Sequence, residues 1–207
     1  MMLSTTHIAL IPLEATADSE LVARSISGCE DGFEELVRRY QRPIAAYIYR
    51  MVNDYEAALD LTQDVFIKVY NSLGRYRAEY KFSTWIYRIA HNASVDHIRR
   101  RAAAHGQSRT AALQGETCEL PIASAELNPE QGWEREERRA EIETIVRELP
   151  TSYRELIILR HSHDLSYDEI SEVMNLPLGT VKNRLFRARE MMRSKFIQKG
   201  ITGVAES

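Results

Sequence analysis

Four side chains near the end of the sequence, Lys182, Asn183, Phe186 and Arg187, have the types and spacing needed to read base-pair edges. Arg and Lys donate to guanine, Asn pairs with adenine, and an apolar group meets the thymine methyl in a major groove. At about 100° per residue the four share one side of a helix, opposite an apolar stripe of Val181, Leu185, Ala188 and Met192. From Pro177 to Gly200 seven Lys or Arg stand against the single acid Glu190. A plain solvated amphipathic helix is the competing reading, but it has no use for a phenylalanine among cations. The other residues that invite chemistry, His161, His163 and Asp164, fall between helix signals and lack a third convergent ligand. With no glycine-rich phosphate loop or nucleophile elbow, no catalytic residue, metal site or cofactor is expected.

A reading helix must be held at a fixed angle, and the residues before it supply the means. Ser166 followed by Glu169 makes a capping box, and Ile170 and Val173 give that helix an inward face. Leu176 precedes Pro177, which ends one helix and suits the first turn of the next. Leu165 to Arg189 is therefore two short helices joined by a tight turn. Further upstream, helices are expected around Ile142–Leu149 and around Tyr153, Leu156, Ile157 and Leu159.

Two more surfaces lie in the first half. A helix over Tyr55–Leu73 is expected to bury Ala58, Leu59, Thr62, Phe66, Val69, Tyr70 and Leu73. Its other face carries Asp60, Asp64 and Ile67, flanked by Gln63. An exposed isoleucine beside two acids suggests a docking surface rather than a solvated one. Six of the chain's seventeen aromatics then fall between Tyr70 and Tyr87, interleaved with Arg75, Arg77, Lys81 and Arg88. Rings that stack on unpaired bases, with cations along the phosphates, suit a single-stranded nucleic acid. Some of these rings are core; Tyr80 and Tyr87 are the ones expected to be exposed. A helix capped by Ser83 runs through Asn92 and Asp96 to Arg99, Arg100 and Arg101. Before these, a short helix at Asp18–Gly28 precedes a longer one opened by Asp31 or Gly32, which Pro43 should kink or divide.

Composition bounds the remainder. The 207 residues, 44% hydrophobic and 28% charged with few Gly and Pro, favour an all-α build of one large or two small domains. No apolar run approaches a membrane span, and the start lacks a signal peptide's basic region. Cys29 and Cys118 are too few for a disulfide framework. A net charge of −3 argues against a protein that lives by phosphate attraction alone, so a partner should supply part of any DNA affinity. The expected segments are a leader at 1–17, a helical unit at 18–105, an extended acidic linker at 106–137, a second helical unit at 138–200 and a tail at 201–207. Seven glutamates against two arginines mark the linker.

This combination resembles a bacterial RNA polymerase sigma factor of the short extracytoplasmic-function group, which keeps the second and fourth sigma regions. The resemblance rests on 60–70 (DLTQDVFIKVY), 82–92 (FSTWIYRIAHN), Leu149-Pro150 with Tyr153-Arg154-Glu155, and Leu165 to Arg189. It implies a promoter-specificity subunit with no chemistry of its own, in the cytoplasm. Asp60, Gln63, Asp64, Phe66 and Ile67 would dock on the clamp helices of the largest polymerase subunit, and the flap would contact the second unit. Tyr80, Trp85, Tyr87, Arg88, Asn92, Arg99 and Arg100 would open and hold the −10 strand. Thr180, Lys182, Asn183, Arg184, Phe186 and Arg187 would take the −35 duplex, with Thr180 on a phosphate. Asn183 stands where many relatives carry Ser, which bears on the −35 sequence read. An anti-sigma factor is the further partner implied. The rival reading, a helix-turn-helix regulator with an N-terminal sensor domain, leaves the Asp60–Ile67 face and the acidic linker unexplained; a dimerisation helix and a basic chain would favour it, and the sequence offers neither.

Overall fold

Buried apolar positions recur every three or four residues, and in the computed structural model every such run is a helix. The structure describes residues 16–104 and 129–200, with the backbone alone for 129–137. Among the described residues there are eight α-helices, short 3₁₀ and π segments, and no strand. Residues 1–15 of the leader, the tail and most of the expected linker lie outside the described residues.

The first unit is built from α1 (Asp18–Ile26), α2 (Glu30–Val52), α3 (Tyr55–Ser72) and α4 (Phe82–Ala104). Its core takes Leu21 from α1, Leu36, Ile44, Tyr47, Ile48 and Met51 from α2, Val65 and Val69 from α3, and Phe82, Ile86 and Ala90 from α4. The α1–α2 corner depends on Gly32, where a Cβ would come within 2.6 Å of the Leu21 carbonyl oxygen. A carboxylate–guanidinium network fastens the same corner. Glu35 accepts from Arg38 and Arg39, and Asp18 accepts from Arg39 at 2.7 Å and from the Tyr40 hydroxyl at 2.5 Å.

Three expectations change here. Pro43 does not divide the second helix; α2 runs unbroken from Glu30, with Cys29 at its N-cap. An interior proline costs about 3 kcal/mol, and the buried side chains of α2 each return about 1.5–3 kcal/mol. In α3 the buried stripe is Ala58, Leu61, Thr62, Val65, Phe66 and Val69; Leu59 and Tyr70 point outward. The last part of the expected linker is helical, since α5 (Pro129–Arg147) begins at Pro129.

The second unit comprises α5, α6 (Thr151–Ile157), a π segment (Ile158–Ser162), α7 (Tyr167–Met174) and α8 (Leu178–Gln198). Ile145, Leu149, Leu156, Leu159, Ile170, Val173, Val181, Leu185 and Ala188 are all buried. The Ser166–Glu169 capping box forms in both directions, at 3.2 and 2.7 Å. Asn175 takes the left-handed conformation (φ 52°) that reverses the chain before Pro177. The far end of α8 is tied back to the residue that follows α5, since Lys195 and Lys199 bind Glu148 at 2.6 and 2.8 Å. No helix among the described residues is long and apolar enough to cross a membrane.

The two units are in contact. Helix α4 lies against α7, and α2 lies against α6 and the π segment.

Candidate nucleic-acid interface

Val181, Leu185 and Ala188 form the buried side of α8, which packs on α6 and α7 and turns its opposite face to solvent. Lys182, Asn183 and Arg187 are exposed there around Phe186, whose exposure is 66%. Thr180 and Arg184 are half-buried at the edges of that face. Leaving a phenylalanine in water forgoes about 1.5–3 kcal/mol of burial, so such a residue marks a contact surface.

On α3 the correction to the stripe enlarges the second surface. Asp60, Gln63 and Asp64 are exposed as expected, with Leu59 (41%), Ile67 (58%) and Tyr70 (60%) beside them. Phe66 differs: it is buried and supports the face from beneath. Tyr70 is held edge-on by Phe33, with ring centroids 5.0 Å apart. The surface is therefore a carboxylate patch rimmed by apolar groups. Leu59 and Tyr70 carry apolar side chains at near-core spacing, which sequence alone places in the core, whereas the structure turns both outward.

The third surface is the N-terminal half of α4 and the loop before it. Tyr76, Phe82 and Trp85 form one aromatic cluster, with centroids 5.4–5.8 Å apart. Phe82 is buried and Trp85 half-buried, while Tyr80 is 51% exposed and its carbonyl accepts from the Tyr76 hydroxyl. Arg88, Asn92 and Arg99 are exposed at helical spacing along α4, with Arg100 beside Arg99. They form a polar rail roughly 16 Å long at 1.5 Å per residue. A cleft of about 710 Å³ opens at the head of this rail. Arg75, Arg77, Tyr80, Trp85 and Arg88 line one side, and Asn175 to Pro177 of the helix-turn-helix line the other. Thr84, also at the cleft, is buried and its hydroxyl has no hydrogen-bond partner.

Tyr87 corrects the expectation of exposure. It is 4% exposed, and its ring meets Tyr47 edge-on at 5.6 Å. Its hydroxyl lies 2.6 Å from Nδ1 of His163 in the second unit. Burial pushes the Tyr87 hydroxyl well above the usual tyrosine range. His163 is likewise held at about 4, chiefly by burial and then by the Arg50 charge. Beside this pair, Glu155, also nearly fully buried, contacts His91 Nδ1 and accepts from the Tyr47 hydroxyl at 3.3 Å. His91, Glu155 and His163 converge only across the two units, so no local sequence signal groups them. Among the described residues no cluster of His, Cys, Asp or Glu could hold a metal.

Two family models match the chain: Sigma-70 region 2 over residues 36–104 and Sigma-70, region 4 over 139–192. RNA polymerase sigma-H factor of Pseudomonas aeruginosa is 38% identical, covering 84% of this chain and 90% of that one. ECF RNA polymerase sigma-E factor of Escherichia coli K12 is 36% identical, covering 88% and 95%. SigW of Bacillus subtilis, another ECF RNA polymerase sigma factor, is 34% identical over 81% and 90%. In fold, the chain is similar to CnrH, solved with the cytosolic domain of CnrY. That match has a TM-score of 0.65, 23% identity, and coverage of 88% of this chain and 99% of that one.

Proposed function

The chain belongs to the extracytoplasmic-function group of RNA polymerase sigma factors, and on that premise we propose how its three surfaces divide the work of starting transcription. The α3 face docks on core polymerase. Asp60, Gln63, Asp64 and Ile67 make the contact with the clamp helices of the largest subunit, Leu59 and Tyr70 extend it, and Phe66 supports it from below. The second unit meets the flap.

Helix α8 enters the −35 major groove. Lys182, Asn183, Phe186 and Arg187 face the bases, with Arg184 and Thr180 at the phosphates. The observation that carries this reading is Phe186, two-thirds exposed within a ring of cations and an amide on a helix whose other face is buried.

The cleft beside α4 takes an unpaired −10 base. Tyr80 and Trp85 supply walls for a base that leaves its stack, a step that costs a few kcal/mol. Arg88, Asn92, Arg99 and Arg100 track the strand beyond it. Tyr87 serves from beneath as a buried support. The protein acts in the cytoplasm, performs no chemistry and needs no cofactor. An anti-sigma partner covers the exposed apolar groups when transcription is off; RpoE of Bartonella quintana, 19% identical, is solved with one, NepR.

Run-off transcription with purified core polymerase on genomic fragments, followed by sequencing of the 5′ ends, tests this. Discrete starts that share −10 and −35 sequences are expected. Transcription no different from core polymerase alone rejects the reading.

A further inference from the structure

We propose that the cleft at the head of α4 is a site for a free nucleotide, a nucleoside triphosphate whose base carries an exocyclic amino group. Binding there needs neither polymerase nor promoter. Only its consequence for −10 capture rests on the promoter reading above.

Charge points to a polyphosphate. Arg75, Arg77 and Arg88 all line this cleft, and none of their side chains has a hydrogen bond or ion pair among the described residues. Glu172 is the carboxylate that lines it with them, while Lys81 nearby already binds Glu169. Each nucleotide of a strand brings a single phosphate charge, too little to answer three guanidinium groups around one cavity. A triphosphate gathers several charges at one point, and guanidinium takes phosphate oxygens in bidentate pairs.

The other groups suit a base. Trp85 is half-buried against Tyr76 and Phe82, at 5.4 and 5.7 Å between centroids, and Tyr80 is exposed. Every base has a face that stacks on such rings. Thr84 adds a buried hydroxyl with no hydrogen-bond partner, which folded proteins rarely leave. On the opposite wall Glu172 and Asn175 are exposed. A carboxylate accepts from an exocyclic amino group, which guanine, adenine and cytosine carry and uracil lacks. The volume of about 710 Å³ falls within the range of roughly 300–1,000 Å³ that small-ligand sites occupy.

The walls that hold the nucleotide are those assigned above to an unpaired −10 base, so the two compete. A loaded chain captures the strand only as it releases the nucleotide, which ties −10 capture to the nucleotide level.

Equilibrium dialysis of the full chain against labelled GTP, without polymerase or DNA, tests the site. One GTP per chain is expected, with a Kd of about 1 mM or lower. Inorganic triphosphate and UTP should bind about tenfold more weakly or worse, the first for want of a base and the second for want of the amino group. Arg75→Ala/Arg77→Ala should lose about tenfold in GTP affinity and melt as wild type does, because both side chains are exposed. Arg138→Ala, exposed on α5, removes a charge elsewhere and should bind GTP as wild type does. Glu172→Gln should narrow the gap between GTP and UTP. Absence of saturable GTP binding overturns the proposal, as does equal affinity for inorganic triphosphate or UTP, unchanged affinity in the double variant, or an unchanged GTP-to-UTP ratio in Glu172→Gln. In a second arm, GTP should displace a fluorescent single strand bearing a −10 sequence found by run-off sequencing. Strand capture by a chain that binds no GTP refutes the nucleotide site alone. GTP binding that leaves the strand in place supports the site and refutes the assignment of the −10 base to this cleft.

Discussion

The Tyr87 hydroxyl and His163 Nδ1 lie 2.6 Å apart across 76 residues of chain, in a site that leaves the other ring nitrogen of His163 without a partner. A neutral imidazole tolerates that site better than a charged one. Burial and Arg50 hold its pKa at about 4, against an ordinary 6.5. Between those values a form with the two units apart binds the extra proton, so the contact between the units is at full strength above about pH 6.5 and weakens as pH falls toward 4. Energy transfer between dyes on α3 and α8 should report the separation over that window. His163→Gln should flatten the profile; an unchanged slope would assign the effect to other groups.

Glu35 carries a second acid dependence, this one within the first unit. Hydrogen bonds from Arg38 and Arg39 hold its carboxyl at about 2, below the ordinary 4.5. Its contribution to stability is complete above the unfolded-state value and is lost as pH falls from about 4.5 to 2. Thermal melts of wild type should decline over that range, with a shallower decline for Glu35→Gln.

At the −35 face, Arg187→Ala should cost about 1–3 kcal/mol of binding and relax specificity at one base pair. The readout is a panel of single-substitution duplexes bound by the holoenzyme. An equal loss on every duplex would make Arg187 a phosphate contact.

Ile67→Asp places a third acid at the centre of the α3 face. Core polymerase binding should fall about tenfold or more, as at other interface anchors. The melt of the chain should move by no more than about 0.5 kcal/mol, because the side chain is 58% exposed. Retained affinity in a pull-down would remove α3 from the docking surface.

Tyr80→Ala should slow strand opening by the loss of one stacking contact, worth about 1–3 kcal/mol. Permanganate reactivity of thymines near the start site would fall while closed-complex binding holds. Unchanged reactivity would mean that Tyr80 touches no base.

How far the sequence could be read depended on the range of the interactions involved. The helix-turn-helix was legible because its signals are local: the Ser166–Glu169 box, the Pro177 start and the Val181–Leu185–Ala188 stripe all formed. The α3 face was legible in its charges but not its phase, since Leu59 and Tyr70 differ from core residues only in where neighbouring helices sit. Pro43 shows tertiary burial overriding a local helix-breaking signal. Tyr87 and its partners were illegible. Nothing in the separate neighbourhoods of His91, Glu155 and His163 says that they meet.

Gly32 makes the N-terminal helix a clasp that closes because an atom is missing. Any other side chain there puts its first carbon against the Leu21 carbonyl oxygen and lifts α1, and with it the Asp18 carboxylate that Arg39 and Tyr40 hold. One methyl group at position 32 would thus loosen a corner that the burial of Leu21 and Val22 and the grip on Asp18 otherwise hold closed.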